Sequence, residues 1–344
     1  MQQLARPHGW EDGRPAPTKI EANCTPPRTE TRARCTEEGR AGAYFPVLPV
    51  MTTPRLHPRP AYPSFAREVL PSMLYSFARS TVAGTLLVKA LEPTFADALG
   101  WALHVGLSDR GAFTIGMVLL HSVLYFGVNG LLFADPGFLR PYRIERSAHQ
   151  MPSKDLLRQT LVSGAVGRFV IEPPLVWFVL YELMVRIGGM PSMHSQVGDC
   201  RAVGAILCAA RLFNDVAFYG SHRALHHPAL YGRFHKQHHR FTGTIGFAAE
   251  FAHPVEQLFS NQLPTVGFCI LAGPHPLVFY AWITIRLLQT YETHSGVLLP
   301  WSQGEATAWH DYHHSHNRGC FGAMWLDQLC GTCDHYLAWK HERQ

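Results

Sequence analysis

Three short stretches place imidazoles at metal-ligand spacing. "HRALHH" supplies His222 and His226, with His227 adjacent; "HKQHH" supplies His235, His238 and His239; "HDYHH" supplies His310, His313 and His314. On an α-helix, residues three and four apart share a face, about 5–6 Å between Cβ atoms, so each stretch should aim its rings at a common point. Eight ligands exceed what one tetrahedral zinc uses and suit two metal ions. Imidazole accepts iron, copper, nickel or zinc, so ligand type leaves the metal open. A zinc protease would need H-E-x-x-H, but Arg223, Lys236 and Asp311 stand where that glutamate belongs. Lone histidines such as His104, His121, His275 and His341 read as satisfied structural residues. Three repeats of one spacing do not.

The histidines are unevenly spread: 15 of the 21 lie between His222 and His341, so chemistry is expected in the C-terminal third. Apolar residues make up 47% of the 344 and charged residues 16%, below the roughly 25% of soluble domains, which points toward lipid. A net charge of +5 without a recognisable nucleic-acid module gives no reason to expect nucleic acid as a partner. The eight cysteines are scattered, and the C-x-x-C of Cys330 and Cys333 lacks the second pair a zinc site would need.

Residues 1–63 hold 11 of the 25 prolines and few contiguous apolar residues, so they read as a disordered segment. No apolar run near Met1 suggests a cleaved signal. Membrane-associated helices are expected over 64–200, a catalytic domain over 201–338 and a short tail at 339–344. Gly111 to Ala134 holds 24 residues without a formal charge, long enough to span a bilayer. Thr81 to Leu107 is interrupted by Lys89, Glu92, Pro93 and Asp97 and reads as interfacial. The segments 160–185 and 202–220 carry charges expected to face a bundle interior or a site. The segment 257–285, broken by Pro264 and "GPHP", reads as a helical hairpin. Arg140, Arg143, Arg146, Lys154 and Arg158 put the 135–158 connection in the cytosol, and counting crossings then puts every histidine cluster on that side.

From about Asp215 to Leu337 the chain resembles the membrane-bound fatty acid hydroxylase and sterol desaturase superfamily. The residues that carry the resemblance are the boxes H-x(3)-H, H-x(2)-H-H and H-x(2)-H-H. "HHP", "FHKQHH", "AEFAHPVE", "ETHSG" and the terminal "HDYHHSHNRGCFGAMWLDQLCGT" are similar to the sterol 4-methyl oxidase branch. The stretch between "ETHSG" and "HDYHH" is shorter than in many sterol oxidases, which leaves the substrate less defined than metal binding.

The resemblance implies an all-α, multi-pass membrane protein of the endoplasmic reticulum with a cytosolic, histidine-rich di-iron cap. It implies iron ligation by His222, His226, His235, His238, His239, His310, His313 and His314. His294 of "ETHSG" is a further ligand, and His253 of "AHP" is a weaker candidate whose alternative is a supporting role behind the ligands. The implied reaction is O2-dependent oxidation of a lipid C–H bond, favouring a sterol 4-methyl group. Hydroxylation or desaturation of an acyl chain or sphingolipid is the alternative. No nicotinamide or flavin fingerprint is present, so NAD(P)H electrons would arrive through cytochrome b5 and its reductase. Breaking an unactivated C–H bond needs an oxidant that a metal cofactor, not a side chain, supplies.

Ligating imidazoles need a partner on the other ring nitrogen. Asp215, Glu250, Glu256, Glu292, Asp311 and Asp327 are near enough in sequence, and Asp215 and Glu292 are favoured. The aromatics Phe218, Tyr219, Phe247, Phe251, Phe279, Tyr280 and Trp282 are candidates for a lipid path and equally for ordinary packing. A rival of another class is a membrane metal-binding scaffold without catalysis.

Overall fold

Local sequence starts or stops several helices of this all-α chain. A computed structural model describes residues 67, 69–146, 150–299 and 304–342; the segment 1–63 expected to be disordered lies outside the described residues. Ser108 accepts from Gly111 N at the head of the helix beginning at Asp109. Ser153 accepts from Leu156 N to start helix 154–186, and Asp199 accepts from Arg201 and Ala202 N to start Cys200–Leu225. Each side chain satisfies donors that a first turn leaves unpaired. The "GPHP" break ends Leu263–Ala272 with Gly273 at φ 51°, and His275 caps Pro276–His294 by accepting from Leu277 N. The hairpin expected over 257–285 is therefore two helices joined at Gly273.

Leu70–His104 is one continuous 35-residue helix that contains most of the interrupted Thr81–Leu107 stretch. Lys89, which interrupts its apolar run, bonds Glu92 and the Gly198 carbonyl. This helix packs on Cys200–Leu225 and Pro276–His294 around Val88, Leu207, Phe279 and Trp282. A second core of Tyr125, Phe241, Phe247 and Tyr291 lies beside the histidine segments. No strand occurs among the described residues; Arg143 and Val297 form one isolated bridge.

Asp109–Phe133 and Cys200–Leu225 are long and apolar enough to cross a membrane. Exposed apolar side chains occur on them and on other helices: Val123 on Asp109–Phe133, Leu86 and Trp101 on Leu70–His104, and Phe169, Val170 and Phe178 on helix 154–186. Such a surface is a liability in water and is satisfied by hydrocarbon. The basic connection packs against the histidine segments. Ile144 N donates to Gly296 O, Leu298 N donates to Tyr142 O, and Arg146 pairs with Asp311 of the third box.

Candidate metal centre

Nine imidazoles converge from four parts of the chain. His222 and His226 end helix Cys200–Leu225, and His294 ends Pro276–His294. His310, His313 and His314 lie on Gly304–His316. The middle box is irregular. His235 closes a π-wound turn, Tyr231–His235, in which Lys236 N reaches Tyr231 O, and His238–Arg240 is a 3-10 turn.

The rings sort into two clusters, His222, His226, His235, His239 and His313 in one, and His238, His294, His310 and His314 in the other. Within each, the ligand atoms lie within 4.8 Å of one another. The boxes therefore split. The i,i+4 pairs His235/His239 and His310/His314 each serve one cluster, and the i+3 rings, His238 and His313, turn to the other. One common point per box, the expectation from spacing, gives way because adjacent helical residues diverge by about 100°. The stacked rings of His239 and His314, 4.7 Å apart, join the clusters.

Hydrogen bonds fix the tautomers. His222 Nδ1 donates to Phe321 O (2.5 Å), His313 Nδ1 to Gly319 O (2.5 Å), His294 Nδ1 to Thr290 O (2.8 Å) and His314 Nδ1 to Phe241 O (2.9 Å). His235 Nδ1 lies 2.8 Å from Glu256 Oε1 and donates to it once that carboxyl is ionised. With the proton on Nδ1, each of these rings presents a bare Nε2 lone pair to its cluster. Yet the Nε2 atoms crowd together: His222 to His235 3.0 Å, His226 to His235 3.0 Å, His239 to His235 3.1 Å and His314 to His310 3.1 Å. Facing lone pairs repel unless a cation lies between them. A metal–imidazole bond of about 2.1 Å puts neighbouring nitrogens roughly 3.0 Å apart in an octahedral or square-pyramidal arrangement and about 3.4 Å in a tetrahedral one. The donor sets fit metal ions, with five ring nitrogens available in one cluster and four in the other. Burial pushes His238, His313 and His314 far below the ordinary histidine value, which keeps them neutral and able to ligate.

The remaining sequence candidates have other partners. Asp215 accepts from Arg211 and from Trp325 Nε1, and Glu292 pairs with Arg79; neither bonds a box imidazole. The carboxylate that does is Glu256. Burial pushes its carboxyl up to about 9, so ionising it calls for nearby positive charge, as a ligated dication supplies. His253 and His227 cap short helices by accepting from Val255 N and Ala229 N, and His316 stacks on Tyr312. None of the three belongs to either cluster.

The family profile described as fatty acid hydroxylase matches residues 207–332, the stretch that holds all nine clustered histidines. The chain is 32% identical to the very-long-chain aldehyde decarbonylase GL1-8 of Oryza sativa subsp. japonica, over 66% of this chain and 87% of that protein. The chain belongs to the fatty acid hydroxylase family. Among its relatives, the human fatty acid hydroxylase domain-containing protein 2 is 31% identical over 64% of this chain. The chain spans 66% of that protein's length. Methylsterol monooxygenase 1 of Rattus norvegicus is 28% identical over 67% of this chain and 80% of its own. No solved structure matches the chain.

In this fatty acid hydroxylase family member, a cavity of about 380 Å³ opens between the helices and the histidines. His238, His294 and His310 of the four-histidine cluster line it, against His222 alone of the five. Its apolar wall is mostly aliphatic, with Leu180, Val266, Ile283 and Leu287. Of the aromatics considered for a lipid path, Phe218 lines it; Phe279 and Trp282 are core residues.

Proposed function

We propose that this chain is a membrane-bound, O2-dependent oxygenase that oxidises a C–H bond of a lipid. The nine clustered histidines would hold two irons, and cytochrome b5 with its reductase would deliver electrons from NAD(P)H. The observation that carries this reading is the pair of converging Nε2 sets beside an aliphatic cavity. Iron bound there supplies the O2-derived oxidant that side chains lack. The protein's own part is to keep nine imidazoles neutral and oriented, and to seat hydrocarbon against the four-histidine cluster.

The favoured substrate is a sterol bearing a 4-methyl group, supported by the "AEFAHPVE" and "ETHSG" stretches and by the methylsterol monooxygenase relative. A long acyl chain is the second reading, favoured by the identity to very-long-chain aldehyde decarbonylases over most of their length. The site faces the cytosol from the endoplasmic reticulum membrane in this proposal. Lipid profiling of cells lacking the protein separates the substrates: accumulated 4-methyl sterols support the first reading, altered acyl lipids with normal sterols the second. Metal analysis showing zinc alone, one per chain, would favour a scaffold instead.

A further inference from the structure

The "N…G…LD…GT" pattern of the C-terminal stretch contributes no metal ligand, yet its geometry bears on two of them. Asn317, Gly319 and Cys320 all have positive φ, at 52°, 64° and 56°. For residues other than glycine that region is costly and persists only where the surroundings enforce it. Two carbonyls of this turn face the five-histidine cluster, Gly319 O accepting from His313 and Phe321 O from His222.

One carboxylate holds the turn. Asp327 is fully buried and accepts four hydrogen bonds: Phe321 N at 2.8 Å, Gly322 N at 3.0 Å, Trp309 Nε1 at 3.2 Å and Thr332 Oγ1 at 2.6 Å. Gly331, at φ 64°, turns the chain back so that Thr332 reaches both Asp327 and, through its carbonyl, Cys320 N. No ion pair to Asp327 occurs among the described residues, so directed N–H and O–H donors alone satisfy its charge. In the four-histidine cluster the ring acceptors lie outside this turn, Thr290 O for His294 and Phe241 O for His314; its one link to Asp327 is Trp309, the neighbour of His310.

We infer that Asp327 is a positioning residue that sets metal affinity at the five-histidine cluster and not at the four-histidine cluster. It acts through the 319–322 backbone, whose carbonyls fix the tautomer and ring orientation of His313 and His222. Partners behind a ligating histidine typically contribute 10–100-fold in metal affinity. The inference rests on the metal-centre reading above.

The test uses the full chain in detergent with Co(II) as probe, following bound metal per chain and the cobalt absorption spectrum. Asp327→Asn keeps the shape, but whichever way the amide turns, one oxygen becomes an NH2 and two donors lose their acceptor. Cobalt per chain is expected to fall from two to one, the lost site weakening by about 10–100-fold. Adding His222→Ala should remove nothing more, whereas adding His294→Ala should remove the remaining ion. Two ions bound with wild-type affinity, or equal weakening of both sites, would overturn the inference. If Asp327→Asn fails to fold, Thr332→Val, which removes one donor and leaves the carboxylate, is read by the same criteria. A wild-type chain that takes up no cobalt overturns the metal reading itself, and this inference with it.

Discussion

His235 and Glu256 form a buried pair, Nδ1 to Oε1 at 2.8 Å, with side-chain exposures of 0% and 3%. The carboxylate fixes the ring so that Nε2 faces His222, His226 and His239. Glu256→Gln keeps an acceptor but removes the charge that offsets a dication. Metal affinity of the five-histidine cluster is expected to fall about tenfold or more, measured by chelator competition, with the other cluster unchanged. Equal affinity in the variant would show that the pair serves packing alone.

His238 and His239 are neighbours in sequence that serve different clusters. His238→Ala is expected to abolish turnover and lower iron content while the protein stays in the membrane. His239→Ala should cost the other ion. Metal analysis of the two single variants and the double variant should show independent losses, and turnover surviving His238→Ala would count heavily against the site.

Asp215 is shared by Arg211 and Trp325 rather than by a metal ligand. Removing one partner of a buried ion pair costs about 3–5 kcal/mol. Asp215→Asn should therefore lower thermal stability strongly while the folded fraction retains its full metal complement. Stable protein with depleted metal would reverse that assignment.

Leu180 stands partly buried on the aliphatic cavity wall. Leu180→Trp fills space that lipid would occupy. Turnover of the lipid substrate is expected to fall roughly tenfold or more, in line with loss of positioning at a reacting centre. Metal content should not change, and an unaltered KM and kcat would place the substrate elsewhere.

The depressed ring pKa values of His238, His313 and His314 arise first from burial. Unfolding returns these groups to about 6.5. Because the folded values lie below the unfolded one, the unfolded chain binds more protons under acid, and the stability these groups confer is complete above about pH 6.5 and lost as pH falls. Thermal melts of chelator-treated protein should show Tm declining from roughly pH 6.5 downward, with metal-loaded protein holding to lower pH. A flat Tm through that range would contradict buried, neutral rings.

The convergence of the histidines was legible because helix geometry makes i,i+4 spacing meaningful, and the hairpin because "GPHP" cannot continue a helix. Cluster membership was not: in both H-x-x-H-H boxes the i+3 ring leaves its i,i+4 partners, and which cluster it joins depends on how the segments pack together. The supporting carboxylate, Glu256, was among the sequence candidates but not the favoured ones. Proximity favoured Asp215 and Glu292, but each faces an arginine, Arg211 one turn back on the same helix and Arg79 from another helix. Glu256, 21 residues from His235, is delivered by a chain reversal. Asp327 was visible as a candidate, but its hold on the turn depends on positive-φ residues that sequence does not display.

His226 and His313 approach to 3.2 Å across 87 positions of sequence, and the turn that orients His313 lies later still. During synthesis, a ribosome must have released the segment through Thr332 before the five-imidazole cage can close. Until then His222 and His313 lack the carbonyls that orient them, so one of the last stretches to be made completes the first histidine box.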